Sequence, residues 1–279
     1  MKLKSSHSCH GGIVSYYSHA ANSTKCDMNF SVFLPEQARY GNCPALYYLA
    51  GLTCTEDNFT TKSGAYRLAA ELGLIMIAPD TSPRGDHVPD EEGRDFAKGA
   101  GFYVDATEEP WNENYNMYSY ITEELYELIL NKFPLDNNRI GIFGHSMGGH
   151  GALTIYLKNK DKFQSVSAFA PIVSPLNCPW GHKALSNYLG EDRATWAKYD
   201  ACALISAGGN VTSSQPILID QGINDPFLES QLMPERFESA CEDVGQKLIL
   251  RRHEGYDHGY FFISSFIEDH LKHHVKILD

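Results

Sequence analysis

The sequence predicts an α/β domain, a mainly parallel β-sheet whose strands alternate with covering helices. Three observations predict it. Short, almost continuously apolar runs recur along the chain, as strands buried on both faces require. Amphipathic stretches with apolar residues three and four apart lie between them. No repeat, low-complexity tract or Pro/Ser-rich linker divides the 279 residues, so the expectation is one domain, 1–279, broken only by an irregular insertion at about 80–116.

At the amino terminus, MKLKSSHSCHGG has two lysines but no apolar run behind them, so it lacks the core of a secretory signal and export is not expected. Residues 28–34 alternate with period two and predict an early, half-exposed strand. Runs 45–50 and 74–78 predict buried strands, and Ala65, Leu68, Ala69 and Leu72 between them predict a covering helix. From 80 to 116 no period holds. The stretch still carries Phe96, Phe102, Tyr103, Trp111 and Tyr115, too many aromatics for plain disorder, and it reads as a pocket wall or lid. Ile121, Leu125, Leu128 and Ile129 form a second apolar stripe, and runs 139–143 and 165–170 predict further strands. Runs 216–220 and 247–251 complete the set, separated by the stripe Phe237, Ala240, Cys241 and Val244, in which Cys241 reads as packing. A terminal helix carries His270, His273 and His274, which read as solvated. Every apolar run falls far short of the ~20 residues that span a bilayer.

Charge narrows the function classes. Thirty-five acidic against 23 basic residues give -12 at pH 7, which repels phosphate backbones and anionic headgroups, so neither nucleic acid nor membrane is an expected partner. Residues 80–116 contain ten acidic and three basic residues, hence -7 of that -12. If the substrate is an anion, nearby cations such as Lys62, Lys98 or Lys183 have to offset this locally. Seven cysteines form an odd, scattered set without CxxC, which points away from a disulfide framework or paired-ligand zinc site and towards a reducing compartment, most simply the cytoplasm.

Gly144-His-Ser-Met-Gly148 fits G-x-S-x-G, a weak pattern alone. It directly follows the strand run ending at Phe143 and precedes a helical stretch with Ala152, Leu153, Tyr156 and Leu157, the strand, sharp turn and helix of a nucleophile elbow. A glycine-rich turn with a serine cap is the plain alternative. A serine hydroxyl needs a base to take its proton, so a later acid and histidine are required, in that order. Asp225 follows run 216–220 and His258 follows run 247–251, both on the same sheet edge as Ser146. His253 is a rival base, and Asp220 and Asp257 are rival acids; His145 is too close along the chain to face its neighbour's hydroxyl. Oxyanion donors are expected from the N–H of Met147 and from the loop after run 45–50, where Leu52 is the choice and Cys54 is the thiol nearest the chemistry.

With these residues in place, the chain resembles the S-formylglutathione hydrolases, called esterase D in animals. The segments that carry the resemblance are Tyr48-Leu-Ala-Gly-Leu-Thr-Cys-Thr-Glu-Asp-Asn-Phe, Ala78-Pro-Asp-Thr-Ser-Pro-Arg-Gly, Gly144-His-Ser-Met-Gly-Gly-His-Gly-Ala-Leu, Asn177-Cys-Pro-Trp-Gly, Asp220-Gln-Gly-Ile-Asn-Asp-Pro-Phe-Leu and Gly255-Tyr-Asp-His. It implies an α/β-hydrolase fold with a mainly parallel central sheet of about eight strands and helices on both faces. It implies a Ser146, Asp225 and His258 triad with oxyanion donors at Leu52 and Met147, which sets His253 and Asp220 aside. It further implies that Cys54 is the thiol through which thiol reagents inhibit and that Trp180 lines the pocket. The implied reaction cleaves S-formylglutathione to glutathione and formate, closing a formaldehyde-detoxification route, with side activity on short-chain carboxylic esters and no metal or cofactor. A general short-chain carboxylesterase, an acyltransferase and a catalytically dead binding module are the alternatives. The expected partner is a small-molecule substrate, and a homodimer is the expected assembly. Departures from the family pattern are Ala97 for glycine, Tyr126 for proline, His182 for glutamine and Gly259 for serine; His182 and Gly259 are expected near the site.

Overall fold

The apolar runs become strands of one nine-stranded sheet in the computed structural model, which describes residues 1–208 and 215–279. The strands are β1 (Lys2–Cys9), β2 (Gly12–Ala21), β3 (Cys26–Leu34), β4 (Cys43–Leu49), β5 (Ile75–Pro79), β6 (Leu135–His145), β7 (Ser165–Phe169), β8 (Ile217–Gly222) and β9 (Leu248–His253). Their order is β1-β2-β3-β5-β4-β6-β7-β8-β9. From β5 to β9 every neighbouring pair is parallel, while β1, β2 and β3 join antiparallel at one edge.

The α/β prediction holds, with β1 and β2 added to the strands read from the sequence. Lys2–Cys9 is polar at most positions and almost fully exposed, so no apolar pattern marks it. Backbone pairing with β2, from Lys2 opposite Ser18 to Cys9 opposite Gly12 with a register shift between Leu3 and Ser5, makes it a strand. Both sheet faces are covered. Successive residues of β4 point opposite ways, Tyr47 against Tyr126 and Phe163, Tyr48 against Phe59 and Phe143. Among the described residues no helix is long and apolar enough to cross a membrane.

The terminal helix, Tyr260–Leu278, corrects one expectation: His270 and His274 are fully buried. They share the inward stripe with Ile263, Ile267 and Leu271, and the serines of β7 give them partners. His270 Nδ1 lies 2.8 Å from Ser167 Oγ, while His274 bridges Ser167 at 2.9 Å and Ser165 at 2.6 Å. Gly141 makes the room, since a Cβ there would come within 2.7 Å of His274 Nδ1. His273, at the edge of the stripe, is half-buried, with Nε2 3.2 Å from Val166 O. Residue type alone suggested solvent; the burial is visible only once β7 is placed beneath the helix.

Burial holds His274 and His145 well below the ordinary imidazole pKa and pushes His150 down to about 4. A folded-state pKa below the unfolded value means that the unfolded chain binds more protons, so the stability these groups contribute is present above about pH 6.5 and is lost as pH falls. Each group forfeits about 1 kcal/mol per pH unit below that point. Calorimetry at pH 7.5 and 5.5 is expected to show Tm lower by on the order of 5–10 °C at the acid pH. An unchanged Tm would contradict neutral burial.

Residues 80–116 are a packed layer rather than a lid. Phe96, Phe102, Tyr103 and Tyr115 are fully buried, and Phe96, Trp111 and Tyr115 crowd around Tyr188 with ring centroids 4.5, 6.2 and 5.2 Å away. Several of the acidic groups in this stretch are paired: Asp80 with Arg84, Asp90 with Lys98, Glu91 and Asp95 with Lys183, and Glu113 with Lys25. Ala97, where the family pattern has glycine, takes φ 63°, a left-handed conformation that glycine adopts without a Cβ penalty.

Candidate active site

The turn between β6 and the helix Met147–Lys158 is too tight for side chains on either side of Ser146. A Cβ on Gly148 would lie 1.9 Å from the Leu49 carbonyl oxygen, and one on Gly144 would lie 2.2 Å from that of Gly148. Ser146 itself sits at φ 58°, ψ -119°, a strained conformation held by the surrounding strands. Its N–H donates to Phe169 O at 2.9 Å and its carbonyl accepts from His150 N–H at 3.0 Å, so the hydroxyl projects over the carboxyl edge of the sheet.

Asp225 and His258 arrive from the loops after β8 and β9, two and three strands along the same edge. His258 Nε2 lies 2.9 Å from Ser146 Oγ, and His258 Nδ1 lies 2.5 Å from Asp225 Oδ2. Asp225 is buried; its Oδ1 accepts the Phe227 N–H at 2.9 Å and its Oδ2 accepts from Gln221 Nε2 at 3.3 Å. Serine, imidazole and carboxylate thus form one hydrogen-bonded relay, the geometry in which a base can strip a serine proton and an acid can hold the base in one tautomer.

The rivals are elsewhere. Asp220 is fully buried and bonded through both oxygens to Arg251 at 2.6 Å. Burial alone would raise its pKa, but hydrogen bonds to His270 and Arg251 hold it well below the usual carboxylate range. His253 packs on Phe266, ring centroids 3.8 Å apart, with Nε2 3.3 Å from Asp220. Asp257 accepts the Gly259 N–H at 2.8 Å ahead of the terminal helix. His145 does not touch the serine hydroxyl, yet its ring lies 4.4 Å from that of His258, and burial keeps it neutral there.

The relay opens into a cavity of about 540 Å³ whose walls include Leu52, Cys54, Arg94, Asp95, Trp180, Phe227 and Tyr260. Cys54 and Trp180 are therefore beside Ser146. Burial raises the Cys54 pKa, so it is a thiol rather than a thiolate at neutral pH. Trp180 packs on Phe227 at 4.7 Å, and Phe227 in turn sets its ring edge-on to His258 at 5.1 Å. Among the described residues, neither the Leu52 nor the Met147 N–H finds a protein acceptor. His182 is turned away: exposed, its Nε2 lies 2.6 Å from Leu176 O, outside the cavity wall. Lys98 and Lys183 are consumed by carboxylates and Lys62 sits over the Tyr260 ring at 5.7 Å, so none of the three cations read from the sequence lines the cavity. Arg94, which the sequence did not single out, does.

The loop that carries Leu52 is fixed by the 80–116 layer. Tyr103 Oη donates to Ala50 O at 2.9 Å, Thr81 Oγ1 and Arg84 Nη2 donate to Cys54 O at 2.6 and 3.1 Å, and the Thr53 N–H donates to Gly99 O at 2.9 Å. These bracing residues are far apart in sequence, in the stretches Ala78-Pro-Asp-Thr-Ser-Pro-Arg-Gly and Gly99-Ala-Gly-Phe-Tyr.

A family model described as "Putative esterase" matches residues 21–273. S-formylglutathione hydrolases from Mus musculus and Arabidopsis thaliana are 54% and 52% identical, covering 100% and 94% of this chain and 99% and 93% of theirs. The solved structure of an S-formylglutathione hydrolase from Agrobacterium tumefaciens superposes with TM-score 0.98 at 51% identity, covering 100% of both chains. A ferulic acid esterase shares the fold at TM-score 0.76 and 18% identity, over 97% of this chain and all of that one.

Proposed function

The chain belongs to the esterase family and, within it, to the S-formylglutathione hydrolases, and we propose that it hydrolyses S-formylglutathione to glutathione and formate with Ser146 as nucleophile, His258 as base and Asp225 as orienting acid. It is a serine-type thioester hydrolase. The observation that carries the residue assignment is the continuous relay from Asp225 Oδ2 through His258 to Ser146 Oγ, at 2.5 and 2.9 Å, opening on one cavity.

His258 Nε2 takes the serine proton as Oγ attacks the formyl carbon. The carbonyl electrons move onto oxygen, and the Leu52 and Met147 N–H groups donate hydrogen bonds to the resulting oxyanion. Met147 opens the helix Met147–Lys158, so its N–H has no intrahelical acceptor and the positive end of that helix faces the developing charge. Collapse breaks the C–S bond, the His258 imidazolium gives its proton to the departing sulfur, and glutathione leaves as the thiol. Water then attacks the formyl ester with His258 as base, releasing formate and restoring Ser146. Asp225 accepts the hydrogen bond from His258 Nδ1–H, which fixes the tautomer and stabilises the imidazolium. The seven free cysteines support a reducing compartment, most simply the cytoplasm.

Comparing kcat/KM across substrates tests the assignment. S-formylglutathione is expected to exceed p-nitrophenyl acetate by about tenfold or more, and the acetate to exceed the octanoate. Equal kcat/KM for the thioester and the acetate, or a preference for octanoate, would replace it with a general carboxylesterase.

A further inference from the structure

S-formylglutathione carries two carboxylates at neutral pH, and this chain, at -12, repels anions over most of its surface. A bound carboxylate therefore needs a local cation. Among the described residues, the charged side chains other than histidine that line the Ser146 cavity are Arg94 and Asp95. Asp95 shares the single Lys183 ammonium with Glu91, at 2.9 and 2.6 Å, so its pairing is taken up within that trio. Arg94 is exposed and, among the described residues, has no hydrogen bond or ion pair. A guanidinium without a protein partner presents a planar fork that matches a carboxylate. The most acidic stretch of the chain thus also shows the cavity one guanidinium that, among the described residues, has no counter-ion.

We propose that Arg94 is a specificity residue, binding a carboxylate of the glutathione moiety while the thioester lies at Ser146. The assignment presupposes the glutathione thioester as substrate. Aryl acetates have no carboxylate, so Arg94 adds nothing to their turnover. Arg94 touches none of the reacting atoms, so its contribution lies in binding rather than in the chemical step.

The test combines Arg94→Ala, Arg94→Lys and, for bulk charge, Lys25→Ala, which removes an exposed cation paired with Glu113 outside the cavity. Arg94→Ala is expected to raise KM for S-formylglutathione about tenfold with kcat within about twofold. Kinetics on p-nitrophenyl acetate stay as they were, Arg94→Lys recovers part of the loss, and Lys25→Ala leaves KM unchanged. S-methylglutathione, which cannot be hydrolysed, serves as an inhibitor of p-nitrophenyl acetate cleavage, and its Ki is expected to rise about tenfold in Arg94→Ala. An unchanged KM and Ki, or an equal loss on both substrates, would overturn the role of Arg94. A parent enzyme that cleaves S-formylglutathione no better than the acetate would instead overturn the substrate assignment, and the Ki comparison would still decide whether Arg94 recognises glutathione.

Discussion

Ser146→Ala is expected to lower kcat for S-formylglutathione by about 10⁵-fold while leaving the fold intact. The hydroxyl opens on the cavity and is aligned with His258 Nε2 at 2.9 Å. Alanine keeps the same Cβ at φ 58°, so the elbow geometry and Tm are expected to persist. The residual rate is expected to come from binding and from the proposed oxyanion donors, the Leu52 and Met147 N–H groups. Single-turnover kinetics with S-formylglutathione, alongside a thermal melt, would decide the matter. A variant that melts normally and retains more than about one per cent of the parent rate would rule out Ser146 as nucleophile.

Two carboxylates on neighbouring turns of chain are expected to separate chemistry from stability. Asp225→Asn should reduce kcat by about 10⁴-fold with little change in folding. An amide beside His258 Nδ1 can donate its own hydrogen bond and so favour the tautomer that carries its proton on Nε2. That nitrogen then cannot accept from Ser146. Asp220→Asn should do the reverse. Asp220 lies fully buried against Arg251, and loss of its charge leaves that guanidinium without a counter-ion on one side, costing about 2–4 kcal/mol once the partial exposure of Arg251 is allowed for. Urea melts and kcat measured on the same two preparations would show the crossing. If Asp220→Asn lost the rate and Asp225→Asn the stability, the acid would have to be reassigned.

The relay was legible in the sequence because each member follows a run that can only be a buried strand, and parallel strands bring their carboxyl ends to one edge. Ser146, Asp225 and His258 could be put in order from that rule, although Asp220 and His253 satisfied it nearly as well. What separates them is side-chain direction. Asp220 still belongs to β8 and points across to Arg251, while Asp225 lies in the loop beyond it. Burial of His270 and His274 was hidden because their partners, Ser165 and Ser167, lie more than 100 residues away. β1 was hidden because its stability comes from backbone pairing, which leaves no mark in side-chain type. Arg94 was hidden because its neighbours in sequence, Glu91 and Asp95, suggest local pairing, whereas in the fold they share Lys183 from a distant helix.

The bracing of the Leu52 loop has a consequence for hydrogen exchange. Peptide groups in a loop ordinarily swap their protons with solvent quickly because nothing locks their planes. Here the carbonyls of Ala50 and Cys54 and the amide of Thr53 are each fastened to the 80–116 layer, so the Leu52 amide is aimed before any substrate arrives. Deuterium uptake at Thr53 should be as slow as in the central strands, and substrate binding should scarcely alter it. The Leu52 amide, open to the cavity, should become protected only when a ligand oxygen occupies the place meant for the oxyanion.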